Sequence, residues 1–463
     1  MKKSLNKYLL FVLCLFNMSS FVSIAVANVF LGISISIFLI ILYIERSFCI
    51  NEYNLPYFKA VGVLASTLLI SALCSGDIVQ GLKTWADFFL WRFMPFLILL
   101  FVFDKKEDAK KVYYAILGAF LVDALYVIYQ GVFVYKLNIN LARPYGFTGH
   151  PMTFAGFLCI LVPILLVLVF ESKVLDKYSK LALPAFIVGS GALVLNSTRG
   201  AWLAVGIVVS LICLNYMFRS KRIFIGCVAL MLVGGLVLSN NQAFMKRINT
   251  FNDVKVVSQN PRFKIWDASF KMFKNYPVLG VGLGQYKYAY QNVYMYIEPQ
   301  LEKQKEIIRQ LNSFRKLDSD EQKIAFEQPK SLWYLKSFKK LKWKDKKELL
   351  KLYDEFLSNY NLSRLTHAHN NFLQMLAENG LAGFAGYVLA FGYILWRNIK
   401  NYFVNKNPYA LMIAGSTGAL VLQGLTEYNF GNGAVMKLYW LVLGCLVVLA
   451  GWYNKENTEE ESE

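Results

Sequence analysis

Twelve apolar runs, each long enough to cross a hydrocarbon core of ~30 Å, leave this chain few options besides a bundle of membrane-spanning helices. They fall at roughly 8–25, 29–44, 58–74, 88–103, 112–135, 152–170, 181–196, 201–218, 223–238, 380–396, 409–425 and 438–453. Composition agrees. With 56% hydrophobic and only 17% charged residues, and a positive mean hydropathy, the chain lies outside the soluble globular range. The expected fold is an all-α polytopic membrane protein of about twelve transmembrane helices, with one large helical loop between helices 9 and 10. Three regions follow: 1–238 with helices 1–9, 239–369 as the loop with amphipathic helices, and 370–463 with helices 10–12 and a tail.

Orientation is read from the short loops. Lys2, Lys3 and Lys7 precede the first span; Lys105, Lys106, Lys110 and Lys111 follow the fourth; Lys173, Lys177 and Lys180 follow the sixth; Arg219, Lys221 and Arg222 follow the eighth; Arg397, Lys400 and Lys406 follow the tenth. All these loops fall on one side, which puts both termini in the cytoplasm. The opposite loops hold isolated basic residues, among them Lys83, Arg143, Arg199 and Lys437. The long loop carries 24 Lys and Arg against 13 Asp and Glu; long loops translocate regardless of charge, so it is expected outside. The first 27 residues resemble a cleavable signal, ending Ala25-Val26-Ala27, but another apolar run follows at once and an uncleaved first span is the preferred reading. Seven cysteines lie in or beside the spans and none in the long loop, so packed thiols are expected rather than a disulfide framework.

Within the loop, Arg262 to Lys274 alternates apolar and basic residues at helical spacing and stops at Tyr276-Pro277, as a helix lying among lipid headgroups would. Residues 301–316 and 332–357 repeat the pattern; solvated helical faces are the alternative reading. Gly280-Val-Gly-Leu-Gly284 follows no strand and opens no βαβ unit, so it reads as a flexible turn rather than a nucleotide site.

Only three histidines occur in 463 residues, and all lie in outward segments: His150 in Arg143 to Pro151, and His367 and His369 in Thr366 to Asn371. Imidazole is the side chain most readily made a proton acceptor near neutral pH. Two further outward segments, Asn196-Ser-Thr-Arg-Gly200 and Asn260-Pro-Arg262, contribute arginines. Arg143, Arg199 and Arg262 are suited to bidentate phosphate recognition, although a single arginine at a membrane boundary also serves as a snorkelling anchor. His367-Ala-His369 is a possible metal-ligand pair, but no cysteine or compact carboxylate cluster accompanies it, and no metal is expected. A hydrogen-bonded structural His369 is the remaining alternative.

His369-Asn370, nine residues, then Gly380-Leu-Ala-Gly383 resembles the long histidine motif of the bacterial O-antigen ligases, and Arg199-Gly-Ala-Trp-Leu203 resembles their Arg-x3-Leu motif. The likeness in layout covers nearly the whole chain; the residue matches are confined to four segments. The histidine motif also occurs in O-antigen polymerases and protein O-oligosaccharyltransferases, and does not separate them. Eleven residues make about three helical turns, which would place Gly380 on the face of His369, with Gly380 and Gly383 admitting a neighbouring helix.

The resemblance implies metal-independent, cofactor-free transfer of a glycan from undecaprenyl diphosphate to a lipid A core hydroxyl at the periplasmic face of the bacterial inner membrane. No nucleotide sugar is needed, because the lipid diphosphate is the leaving group. The implied partners are the lipid-linked glycan, a lipid A core or other glycan acceptor, and membrane lipids, with no nucleic acid. His369 is expected as base with His367 beside it, and Arg199, Arg262 and Arg143 as diphosphate ligands. His150, Glu427, Asn370 and Arg92 are candidates for the acceptor site or for support; Arg92 is expected to pair with Asp123 or line a lipid-tail groove. A polymerase or a protein oligosaccharyltransferase would differ only in acceptor. A transporter of lipid-linked sugar is the alternative from another class, disfavoured because its polar groups would lie near the midplane.

Overall fold

The computed structural model describes residues 2–45, 51–103, 105–137, 143–217, 261–290, 294 and 366–460. The apolar run at 223–238 and the amphipathic stretches at 301–316 and 332–357 lie outside the described residues. Among those described, every regular element is helical.

The N-terminal part comprises α1 (Lys2–Val22), α2 (Ile24–Glu45), α3 (Leu55–Leu73), α4 (Ile78–Ala86), α5 (Met94–Val102), α6 (Lys106–Tyr129), α7 (Pro151–Phe170), α8 (Ala182–Asn196) and α9 (Arg199–Met217). A π-helical turn, Asp87–Arg92, joins α4 to α5 within one apolar segment. Then come α10 (Pro261–Asn275), the short α11 (Tyr286–Ala289), α12 (Asn371–Asn405), α13 (Pro408–Gln423) and α14 (Gly433–Glu460). Among the described residues, ten helical segments are long and apolar enough to span a membrane, and the chain is an all-α polytopic membrane protein. The eleventh described run is α13. Its 16 residues span ~24 Å at 1.5 Å per residue, short of the hydrocarbon core; it is buried along most of its length among α7, α9, α12 and α14. The centre of the bundle is α7, α13 and α14, with α1, α2, α3 and α8 outside.

α12 departs most from the sequence expectation. It starts at Asn371 rather than near 380, and Gly380 (φ 58°, ψ −158°) splits it into two helical pieces. The first piece buries Asn371, Gln374, Glu378 and Asn379, so hydropathy gave no sign of it. The break exposes backbone groups that the turn after α10 satisfies. Leu381 and Ala382 N–H donate to the carbonyls of Pro277 and Val278, while Ala377 and Glu378 carbonyls accept from Val281 and Gly282. A Cβ on Gly380 would strike the Val278 carbonyl carbon, and one on Gly280 would strike Glu378. Gly380 therefore admits a docked turn rather than a neighbouring helix; the helix contact belongs to Gly383 and Gly386, against Leu68 and Thr67 of α3. The 280–284 segment is likewise no free turn. α10 forms as expected, and one of its faces is packed: Ile265, Ala268 and Met272 make a small core with Tyr286, Tyr290, Ala368 and Ala377.

Asp123 and Arg92 do not pair. Asp123 accepts the Phe147 N–H at 2.8 Å and supports the turn before α7. Arg92 is paired with Asp87, five residues back across the π-helical turn, and donates to the carbonyls of Phe430 and Gly431. Local partners offset part of the cost of a charge within the bilayer for each.

Candidate active site

At one end of the bundle the C-termini of α3, α8 and α13 meet the N-termini of α7, α9, α12 and α14. Side-chain amides tie these ends together: Asn196 donates to the carbonyls of Pro144 and Pro151, and Asn370 to that of Leu425. Asn370 also caps α12, accepting from Phe372 and Leu373 N–H. It holds the site's frame and is committed by these contacts.

Immediately before that cap, His367-Ala-His369 is clamped at its middle residue. The Trp266 indole N–H donates to the Ala368 carbonyl at 3.0 Å, and the Ala368 N–H donates to Gln374 Oε1 at 2.7 Å. Gln374 also bonds the buried Glu378 carboxylate, which accepts from the Gly284 and Tyr286 N–H groups. A chain of hydrogen bonds thus runs from the docked glycine turn to the backbone between the two histidines. His369 itself sits at φ 48° and donates its N–H to His367 Nδ1.

The imidazole of His369 faces Glu427, with Nδ1 3.2 Å from Oε1 and 3.3 Å from Oε2. A carboxylate beside Nδ1 favours the tautomer with its proton there and leaves Nε2 as the acceptor. Both side chains are largely enclosed, 23% and 13% exposed. Glu427 also faces Arg262, whose Nη2 lies 3.6 Å from Oε2. Burial alone would raise the Glu427 pKa, but His369, His367 and Arg262 outweigh it and the net shift is downward. His367 stacks obliquely on His369 with ring centres 4.1 Å apart. Burial, and then the neighbouring His369, lower its pKa to about 4, so it is neutral near pH 7.

Arg143 lies close enough to Arg262, Glu427 and Arg199 for each to act on its guanidinium; burial first, then Arg262, lowers its pKa. Arg199 begins α9. Five expected residues, His369, His367, Arg262, Arg143 and Arg199, therefore converge with Glu427. Among the described residues three guanidiniums gather near Glu427, and guanidinium is the side chain suited to bidentate recognition of an anion. His367, His369 and Glu427 do bring ligand atoms within 4.8 Å of one another, a spacing that suits a cation, but Arg262 competes for Glu427 and the arginine field opposes a dication.

The remaining candidates stand elsewhere. His150 caps α7, accepting from Met152 N–H, and is exposed. Arg92 lies beyond Tyr428, whose ring is 5.6 Å from His367. Sequence reasoning missed Trp266 and Gln374. Both lie at helical spacing in polar stretches, and nothing in their local pattern announces a long-range partner.

A membrane-embedded helical bundle therefore brings a His–Glu pair and three arginines together at one end. Residues 184–310 match the family model described as O-antigen ligase, and the resemblance drawn from the motifs is thereby supported at the level of the family. The match includes Arg199 and Arg262 and contains none of the three histidines. It supports a ligase- or polymerase-type activity on lipid-linked glycans. No curated protein matches the chain.

Proposed function

We propose that this protein is an O-antigen ligase that moves a glycan from undecaprenyl diphosphate to a lipid A core hydroxyl at the periplasmic face, with its termini cytoplasmic. The observation that carries the reading is Glu427 held between His369 and Arg262, which joins a proton acceptor to an anion site in one contact set. His369 Nε2 takes the proton as the acceptor oxygen bonds to the anomeric carbon. The bond from that carbon to the phosphate oxygen breaks, and its electron pair leaves on the lipid diphosphate. Arg262, Arg199 and Arg143 bind that diphosphate and stabilise the charge it gains. Glu427 orients His369, and neutral His367 packs against the base. His150, Asn370 and Arg92 shape the surroundings. No metal and no cofactor enters this scheme.

The test is transfer by purified protein in nanodiscs, with undecaprenyl-diphosphate-linked glycan and lipid A core, with and without chelator. The expected result is chelator-insensitive glycosylation that His369→Ala abolishes in a folded variant. Lengthening of the lipid-linked glycan without transfer to the core would replace the ligase by a polymerase; a protein product would make it an oligosaccharyltransferase. Full activity in His369→Ala would remove the base from the scheme.

A further inference from the structure

At the opposite end of the bundle, the last turns of α12 and the segment leading into α3 enclose a cavity of about 310 Å³ lined by Tyr53, Trp396, Arg397, Lys400, Asn401 and Val404, among others. Among the described residues its lining contains two cations and no carboxylate. Arg397 is fixed rather than free to snorkel. Its guanidinium lies 5.1 Å from the Tyr53 ring centre and 5.2 Å from that of Tyr57, and Nη2 donates to the Tyr53 carbonyl at 2.9 Å. Asn401 holds the Tyr53 hydroxyl at 3.0 Å. Lys400 stands over Trp396 at 5.5 Å. On the other side of Tyr53 a second cavity, about 300 Å³, carries Trp452 and Lys455, whose Nζ lies 3.8 Å from Glu459 Oε1.

We propose that the Arg397–Lys400 cavity binds the headgroup of an anionic phospholipid. Cations without a carboxylate counterpart in the lining call for an anion, and a planar guanidinium held between two rings is preorganised for a phosphate. A lipid rather than a free anion is indicated by the rim. Val404 lines the cavity at 68% exposure, and Trp396 and Phe403 beside it are 56% and 58% exposed, so hydrocarbon has a surface to follow away from the charge. Aromatic rings with basic residues at a helix end are the usual furniture of a bilayer interface. The site is separate from the histidine end and is independent of the reaction carried out there.

The experiment uses the delipidated full-length chain in detergent, titrated with phosphatidylglycerol and read by native mass spectrometry. Arg397→Gln with Lys400→Gln is compared with Lys105→Gln and Lys173→Gln, exposed lysines at the same end outside the cavity. The cavity pair is expected to weaken binding by on the order of tenfold, and the control pair to leave it within about twofold. Lys400→Gln alone, which removes no structural hydrogen bond in the cavity, is expected to fall between and covers the case in which the double variant does not fold. Equal loss in the control pair would reduce the site to general surface charge and overturn the proposal. So would phosphatidylcholine binding as tightly as phosphatidylglycerol, or inorganic phosphate displacing the lipid at equal concentration.

Discussion

The carboxylate of Glu427 touches an imidazole on one side and a guanidinium on the other, at 3.2 Å from His369 Nδ1 and 3.6 Å from Arg262 Nη2. Glu427→Gln keeps the shape and removes the charge that holds the Nδ1 proton and Arg262. Glycan transfer by the folded variant is expected to fall on the order of 100-fold; transfer at the wild-type rate would mean that the carboxylate does not orient the base. His367 offers a second test. Its pKa in the folded protein is lowered to about 4, against ~6.5 for an unperturbed imidazole, so the unfolded chain binds the proton more readily. Stability is therefore full above about pH 6.5 and declines as the pH falls towards 4. Denaturation in detergent across that range is expected to show a shallower decline for His367→Gln than for wild type. The histidines and arginines were legible because they are rare or isolated among apolar runs. Glu427 was legible only as a candidate for the acceptor site or for support, since its contact with His369 joins residues 58 positions apart.

At the scale of single elements, α12 and the turn after α10 form one unit. Gly380→Ala adds a methyl group against Val278 at a backbone angle that L residues rarely adopt, and is expected to destabilise the fold by about 1–3 kcal/mol. Thermal unfolding in detergent would measure it, and faster proteolysis around 276–286 would show that the docked turn is what loosens. Gln374→Leu breaks the chain from Glu378 to Ala368. Its expected signature is a lower turnover number with little change in the donor KM, because the arginines proposed to bind the diphosphate stay in place while the His367–His369 backbone loses its partner. Restoration by Gln374→Asn is not expected, since the shorter side chain does not span the gap. The spanning helices were readable from continuous apolar runs, but the half-helix 371–379 was not. It buries polar residues against other polar groups, which hydropathy scores as solvent-facing.

For the whole molecule, the distribution of Lys and Arg in the short loops predicts sidedness. In a Cys74→Ser background, a cysteine at Thr148 is expected to react with a membrane-impermeant maleimide in intact cells, and one at Lys105 only after permeabilisation. The reverse pattern would invert the bundle and move the histidine cluster away from the periplasmic face. The membrane character and the approximate spans follow from one-dimensional information, because hydrocarbon imposes its demand on each segment separately and irrespective of its neighbours. Which charges meet does not. Arg92 chose Asp87 over Asp123, Glu427 reached His369, and a glycine turn entered a broken helix, because each outcome depends on how helix ends far apart in the chain pack against one another, and desolvation at those junctions decides which partner each polar group keeps.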